Sequence, residues 1–171
     1  MVNNLNNLIK RIENNKRLTY YRGLVIGDAN CKNVSDILNI VLPNDFVNIG
    51  SVFRYDVFSF QEFFDFLNEK KSWGIVQNNL ELRKEFTKYS EGKSDMSHIL
   101  VLADDDGGSV FMITQDTPEK PTPIIWCDYG DMYWYSIDGK FPHPHDEWPS
   151  FTDFFEYLVE QEEKSLEEDD G

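Results

Sequence analysis

The spacing of apolar residues changes along this chain, and that change constrains the fold more than any other feature of the sequence. Near the N-terminus, Leu8, Ile9 and Ile12 recur at the intervals of one buried face of an α-helix, and Leu5 extends the same stripe. Between residues 98 and 137 the apolar residues instead form short runs separated by turn residues, as paired β-strands do. We therefore predict an α+β fold in which amphipathic helices flank a mostly antiparallel central sheet.

Three helices with clear start signals follow from the same periodicity. They begin near Asn33, Ser59 and Ser150, and the first ends near Leu42, directly before Pro43. Ser59 and Ser150 each precede an acidic residue by three positions, which is the spacing of a capping box. The apolar stripes are Val34, Ile37, Leu38 and Val41 in the first, Phe60, Phe63, Phe64 and Leu67 in the second, and Phe151, Phe154, Phe155, Leu158 and Val159 in the third. One further helix within residues 79–90 carries Leu82, Phe86 and Tyr89. We expect the stripes of the second and third helices to be core.

The sheet is predicted from residues 51–58 and 98–141. The first segment mixes aromatic and β-branched side chains with alternating charges, as a half-buried strand does. Residues 98–103 and 109–114 are apolar runs on either side of the turn cluster 104–108. These two runs predict a β-hairpin.

A second hairpin is predicted directly after the first. Residues 123–128 and 131–137 would be its strands, with Tyr129 and Gly130 in the turn, and Asp138 and Gly139 would turn the chain again. Strand alternation would place Tyr133 and Tyr135 on one face, opposite Met132 and Trp134. One of these sets is core, and the other is exposed or covered by a helix.

Length and composition favour one domain. A chain of 171 residues is below the size at which single cores stop growing, and 15% aromatic residues supply a substantial core. We expect a domain over residues 1–160 and an acidic tail over 161–171 that frays into solvent, because that tail contains almost no apolar residues.

The cellular compartment is predicted to be the cytoplasm. No run approaches the roughly 20 apolar residues of a membrane span, and the first residues lack the pattern of a signal peptide. Cys31 and Cys127 are far apart and do not form a Cys-x-x-Cys motif, so we interpret both as buried reduced thiols rather than disulfide or zinc ligands.

The negative charge is concentrated in the second half of the chain. Residues 1–93 contain 13 basic and 11 acidic side chains, whereas residues 94–171 contain 3 and 20, giving charges of +2 and −17 within a total of −15. This balance argues against nucleic acid, since phosphate backbones select basic surfaces. It favours either simple solubility or a basic protein partner, whose association such a charge would accelerate.

Three segments occur in an order that resembles one protein family. They are Leu-Pro-Asn-Asp-Phe at residues 42–46, a strand, acidic-glycine turn and strand at residues 99–111, and Pro-Ser-Phe-Thr-Asp-Phe-Phe-Glu-Tyr-Leu at residues 149–158. In this order the segments resemble the SUKH superfamily, which includes bacterial immunity proteins of polymorphic toxin systems and eukaryotic cell-wall regulators. The resemblance implies an α+β fold and, for bacterial members, direct inhibition of a toxin that is often a nuclease. It implies no catalytic residue, and we expect no cofactor.

The residue clusters that could carry chemistry have simpler interpretations. Asp104, Asp105 and Asp106 could form a solvated turn, contact a partner or bind a divalent cation, although an unbroken triplet lacks the alternating ligands of a calcium loop. His143 and His145 could bind a metal, but the prolines beside them favour an extended surface loop or the rim of an interface. The sequence has no Gly-x-Ser-x-Gly motif and no phosphate-binding glycine loop, so we expect no enzyme.

We therefore expect a cytoplasmic, non-enzymatic immunity protein that binds a basic toxin through an acidic, aromatic-bearing surface within residues 104–147. The protein itself would be a monomer or weak homodimer and would bind neither nucleic acid nor membrane. The residues expected to contact the partner are Asp104, Asp105, Asp106, Asp128, Asp131, Tyr133, Tyr135, Asp146 and Glu147. The alternatives are a cytoplasmic regulatory or scaffold module that binds host proteins and, more remotely, a metal-dependent hydrolase that uses the aspartate triplet.

Overall fold

The described part of the chain contains six helices and one four-stranded antiparallel sheet, which together form a single-domain α+β fold as predicted. The structure is a computed structural model that describes residues 2–15, 25–54, 63–67, 74–105 and 108–169. The helices are α1 (Val2–Asn14), α2 (Asp28–Leu38), α3 (Asn44–Gly50), α4 (Ile75–Tyr89), α5 (Tyr129–Asp138) and α6 (Phe151–Asp169). The strands are β1 (Ile99–Asp105), β2 (Gly108–Ile113), β3 (Ile124–Cys127) and β4 (Asp146–Trp148).

The sheet runs in the order β1-β2-β3-β4, and its two faces carry different helices. The first predicted hairpin is confirmed by the pairing of β1 with β2. Val110, Trp126 and Asp146 lie side by side on neighbouring strands, and we call their side of the sheet the α6 face. Strand alternation then places Phe111 and Glu147 on the opposite side, which we call the α5 face. Helices therefore cover both faces, which explains why all residues from 99 to 103 of β1 are fully buried.

Helix α6 begins as its sequence predicts. The Asp153 backbone N–H donates to the Ser150 hydroxyl over 3.2 Å, and that hydroxyl donates to the Asp153 carboxylate over 2.6 Å. The predicted stripe behind this start is buried, with Phe151, Phe154, Phe155 and Leu158 each at most 2 % exposed. The local sequence therefore determines both the start of α6 and the face that it buries.

The segment 42–46 and the start of α6, which carry much of the family resemblance, contact each other directly. The Asp45 carboxylate accepts hydrogen bonds from the Thr152 backbone N–H at 3.0 Å and from its hydroxyl at 3.2 Å. The rings of Phe46 and Phe151 pack edge to face with centroids 4.6 Å apart. Asp45 thus stabilises the first turn of a helix that lies 107 residues later in the chain.

Buried Asn79 joins α4 to the outer edge of β1. Its amide nitrogen donates to the Val101 carbonyl oxygen and its amide oxygen accepts from the Val101 N–H, both at 2.8 Å. The same nitrogen donates to the carbonyl of Ile75 at 2.9 Å. The side chain therefore satisfies strand groups that a neighbouring strand would otherwise bind.

The prediction of a helix beginning at Ser59 is wrong over the residues that the structure describes, 63–67. Phe63 forms an antiparallel bridge with Ala103, and the Phe64 N–H donates to the Leu102 carbonyl. Phe64 and Phe66 are buried, whereas Phe63, Asp65 and Leu67 are partly exposed, which is the period of a strand. Phe63 and Leu67 are therefore not fully buried core residues as predicted. Phe60 and the capping residues lie outside the described residues. The helical spacing was misleading because the segment pairs with the sheet edge rather than packing as an isolated helix.

The strand predicted over residues 51–58 is also wrong where it can be checked. Residues 51–54 form a turn and an irregular segment after α3, and 55–58 lie outside the described residues. Phe53 is nonetheless buried, with its ring stacked on that of Phe155 at 5.9 Å. The apolar residues of this segment therefore serve the core without forming a ladder.

The second predicted hairpin is wrong beyond β3, because residues 129–138 form helix α5. The Asp128 carboxylate accepts from the Gly130 N–H at 2.9 Å and caps the helix, and Gly139 ends it in the left-handed conformation at φ 66°. The predicted turn at Tyr129 and Gly130 is thus the first turn of the helix, and the predicted turn at Asp138 and Gly139 is where the helix ends.

Three helices differ from their predicted bounds. Helix α2 begins at Asp28 and ends at Leu38. It ends there because Asn39 adopts a left-handed conformation at φ 52°. Val41 of the predicted stripe therefore lies outside the helix and is 36 % exposed. Helix α4 begins before residue 79, at Ile75. Helix α6 continues to Asp169, although we expected residues 161–171 to fray.

The extension of α6 has a structural cause in α1. Arg11 donates to Glu156 at 3.2 Å and to Glu163 at 2.7 Å, and Glu162 is only 2 % exposed. Helix α1 itself is confirmed, with Leu8 and Ile12 buried in the core. The acidic segment thus packs and pairs with the first helix of the chain. In the regions that the structure covers, no helix has the length and apolarity needed to cross a membrane.

Candidate functional site

Strand β3 presents one large side chain to solvent. Its other three residues are at most 1 % exposed, whereas Trp126 is 36 % exposed. The indole lies against Gly108 of β2, where a Cβ atom would be 3.1 Å from the ring and 2.8 Å from the Cys127 carbonyl oxygen. Gly108 also has a φ of 147°, which side-chain-bearing residues rarely adopt. A glycine at this position therefore allows Trp126 to pack closely on the strand while one part of its ring stays exposed.

A groove of about 300 Å³ lies between Trp126 and helix α6, and we call it the α6 groove. Trp148 packs against Tyr157 and Phe154 there, with ring centroids 4.9 and 5.0 Å apart. Asp146 lies beside Trp126 on the neighbouring strand and is exposed. The residues that line the groove are Phe63, Val110, Trp126, Asp146, Trp148, Phe154, Tyr157 and Leu158. The α6 groove therefore combines aromatic walls with a single carboxylate.

A second groove of about 470 Å³ also has Trp126 in its lining, and we call it the His143 groove. Its lining includes a second exposed indole, Trp134 of α5, which is 52 % exposed. The complete lining is Trp126, Asp128, Gly130, Asp131, Trp134, Pro142, His143 and Pro144. Both grooves contain Trp126 in their lining, so they adjoin at this side chain and together expose aromatic and acidic groups.

Asp131 is held inside the His143 groove by the loop opposite α5. It is only 4 % exposed, and its Oδ1 atom is 2.8 Å from Nδ1 of His143, whose side chain is 74 % exposed. Asp128 is exposed but caps α5. These two carboxylates thus hold the His143 loop and the start of α5 in place, and they also give the groove a negative charge.

Asp104 lies away from both grooves, on the α5 face. Its carboxylate accepts a hydrogen bond from the Ser109 hydroxyl. Burial raises the pKa of the nearby Tyr129 phenol, and the negative charges of Glu85 and Asp104 raise it further. Asp104 therefore belongs to the packing between the sheet, α4 and α5.

Tyr133 and Tyr135 are half-buried and serve the same packing. Tyr133 meets Phe86 edge to face at 5.1 Å, and Tyr135 stacks on Phe141 at 4.4 Å. Burial raises the pKa of Tyr135, and the charge of Glu147 raises it further, because Glu147 lies on the same face of the sheet. Glu147 also approaches His145, with 3.7 Å between its Oε2 and Nε2 of the ring. These residues thus lie apart from Trp126.

Of the nine predicted contact residues, the structure therefore brings Asp128, Asp131 and Asp146 together around Trp126. Asp105 ends β1, and Asp106 lies outside the described residues. Within the described ranges, no three His, Cys, Asp or Glu residues are grouped closely enough to hold a metal ion.

The predicted set did not include Trp126, Trp134, Trp148 or Tyr157. A signal was present for Trp134: in a helix, unlike a strand, it lies one turn from Gly130 and Asp131, and all three line the same groove. Recognising Asp128 as a helix cap would have identified that helix.

Cys31 and Cys127 are free and buried, as predicted. Burial raises the pKa of the Cys31 thiol to about 11, with a further contribution from the charge of Asp28. Burial raises that of Cys127 to about 12, and the charges of Asp131 and Asp128 add to the effect. Both thiols are therefore protonated and unreactive at neutral pH.

Comparisons of the chain with protein-family models, curated proteins and solved structures found no match.

Proposed function

We propose that this chain is a non-enzymatic, cytoplasmic immunity protein that binds and neutralises a basic toxin, such as a nuclease domain. The observation that carries the proposal is the pair of adjoining grooves around Trp126 and Trp134, where two exposed indoles lie among carboxylates. The resemblance of residues 42–46, 99–111 and 149–158 to the SUKH superfamily supports the choice of a toxin as partner.

The surface has the composition of a protein-binding site. Tryptophan is enriched among residues whose truncation costs the most binding energy, because its rigid ring buries a large area with little loss of entropy. Trp126 and Trp134 are 36 % and 52 % exposed and are held by a strand and a helix rather than by loops. A partner would therefore meet preorganised aromatic side chains.

The charge of this surface favours a basic partner. Asp128 and Asp146 are exposed, and the chain from residue 94 onward carries the whole negative excess. Acidic groups beside an aromatic contact can pair with Lys or Arg of a partner, and they also accelerate encounter with it. A nuclease domain presents basic side chains to its own substrate, so an acidic surface would compete for them.

The test is to read the neighbouring reading frames, to co-express this chain with any basic toxin domain that they encode, and to follow growth and co-purification. We expect the wild-type chain to rescue growth and to co-purify with the toxin. Trp134→Ala should accelerate dissociation at least tenfold, because interface tryptophans contribute about 2 kcal/mol or more. Tyr89→Ala, which also truncates an exposed aromatic residue, at 63 % exposure, is the matched control and should behave as the wild type.

Two results would count against the proposal. If the wild-type chain neither binds nor rescues, it is not the immunity protein of that toxin. If it rescues but Trp134→Ala and Trp126→Ala dissociate no faster than Tyr89→Ala, the partner contacts another surface.

A further inference from the structure

The α6 groove is more specific in its chemistry than a general acidic surface. Three of its walls are aromatic, from Trp126, Trp148 and Tyr157, and its volume of about 300 Å³ is at the small end of the usual range for ligand pockets, roughly 300–1,000 Å³. It therefore fits one long side chain rather than a segment of secondary structure.

Asp146 determines the charge of that side chain. Its carboxylate forms no hydrogen bond or ion pair with the side chains that the structure describes, and it stands next to Trp126 across the β3–β4 ladder. A neutral apolar occupant would remove water from this carboxylate without replacing the lost hydrogen bonds, and an acidic occupant would be repelled. A cation pairs with the carboxylate and is also attracted to the faces of the indole rings.

Arginine matches these walls better than lysine does. Its planar guanidinium can stack on an indole and donate two parallel hydrogen bonds to one carboxylate, whereas the ammonium of lysine is a compact, strongly hydrated charge. The ring of Trp148 packs against those of Tyr157 and Phe154, so the wall of the α6 groove is already formed before a ligand binds.

We propose that the α6 groove binds one arginine side chain of the partner protein, with the guanidinium between the aromatic walls and the carboxylate of Asp146. This inference deepens the proposed function, because it rests on a basic protein partner and names the side chain that enters the site. Trp134 lines the His143 groove and not the α6 groove, so its signal reports on binding to the neighbouring groove alone.

The experiment uses the full chain and acetyl-arginine-amide as the probe, observed through the indole N–H signals in NMR spectra. We expect saturable shifts at Trp126 and Trp148 and little change at Trp134. Acetyl-citrulline-amide has nearly the same shape without the charge and should bind at least tenfold more weakly. Acetyl-lysine-amide should bind more weakly than the arginine probe.

Two variants test the role of the carboxylate. Asp146→Asn should weaken arginine binding about three- to tenfold, since it removes one charge-assisted contact. Asp116→Asn makes the same change at a side chain that is 94 % exposed and outside the groove, and it should leave binding unchanged.

The proposal is overturned if arginine and citrulline probes give the same shifts, if Trp134 shifts while Trp148 does not, or if Asp146→Asn binds as well as Asp116→Asn. The titration contains no toxin, so its outcome is independent of the proposed function. Arginine binding without toxin neutralisation would support an arginine site in the α6 groove and reject the immunity role. Toxin neutralisation without arginine binding would reject the arginine site alone.

Discussion

Replacing Asn79 with alanine tests how the edge of the sheet is closed. The substitution removes the amide that bonds both the N–H and the carbonyl of Val101 at 2.8 Å, and Val101 is fully buried. The third bond of Asn79, to the Ile75 carbonyl, matters less because that carbonyl can keep its bond within the helix.

The expected cost follows from the groups left behind. A buried backbone group without a partner costs about 1–3 kcal/mol, so two such groups predict a loss of about 2–6 kcal/mol. A domain of this size has a total stability of about 5–15 kcal/mol, so the variant should unfold at a much lower urea concentration. Equilibrium urea unfolding followed by tryptophan fluorescence measures the difference.

Asn78→Ala is the matched control. It makes the same change at the preceding position of α4, where the Asn78 amide donates to the Gly74 carbonyl at 2.9 Å, and that carbonyl also accepts the Asn78 N–H. We expect this variant to lose less stability than Asn79→Ala, because the Gly74 carbonyl keeps its bond to the Asn78 N–H. If Asn79→Ala is no less stable than Asn78→Ala, then the amide does not close the edge of β1 and the reasoning fails.

Three further predictions use other contacts. Gly108→Ala should lower the free energy of unfolding by at least about 2 kcal/mol, because its Cβ would be 2.8 Å from the Cys127 carbonyl oxygen at a φ of 147°; an unchanged melting temperature would refute this. Asp45→Ala should cost about 0.5–2 kcal/mol in urea unfolding through loss of its bonds to Thr152, and Asp45→Asn, which keeps an acceptor oxygen, should recover part of this. Burial raises the pKa values of Cys31 and Cys127 to about 11 and about 12, so the unfolded chain loses these thiol protons at a lower pH than the folded chain does. The free energy of unfolding should therefore fall as pH rises above about 9. Thiol reagents at pH 8 should label both cysteines only after unfolding. Rapid labelling of the native protein would contradict the burial of these thiols.

Sequence reasoning predicted the elements whose signals are local. The start of α6 is determined by Ser150 and Asp153 together with a phenylalanine stripe, and all of these lie within one segment of about ten residues. The hairpin of β1 and β2 is equally local, because its two apolar runs are separated only by a short turn. In both cases the side chains that decide the structure are neighbours in sequence.

The errors arose where a distant partner or an ambiguous residue decided the structure. Phe63 and Phe64 have helical spacing to their neighbours, but Ala103 and Leu102 of β1 provide the hydrogen bonds that make the segment extended. Residues 131–137 are rich in aromatic side chains that favour strands in isolation, yet they form a helix that Asp128 caps.

The candidate site was predicted in part for the same reason. Asp128, Asp131 and Asp146 were identified from charge, and the structure places them around Trp126. Tyr133 and Tyr135 are predicted as partner contacts on a strand, and the helix instead turns them into the packing against Phe86 and Phe141. A strand and a helix expose different residues of the same segment, so predicting a strand in place of α5 assigned the wrong aromatic residues to the surface.

The contact between Asp45 and Thr152 has a consequence for how the chain matures. During synthesis, the N-terminal helices leave the ribosome long before α6, which supplies the ring that Phe46 packs against and the carboxylates that bind Arg11. The first half of the nascent chain therefore carries apolar surface that stays uncovered until translation is nearly finished. The final helix acts as the closing element of the domain, so any ribosome that stops before residue 150 releases a chain in which α1 and α3 lack the helix that they pack against.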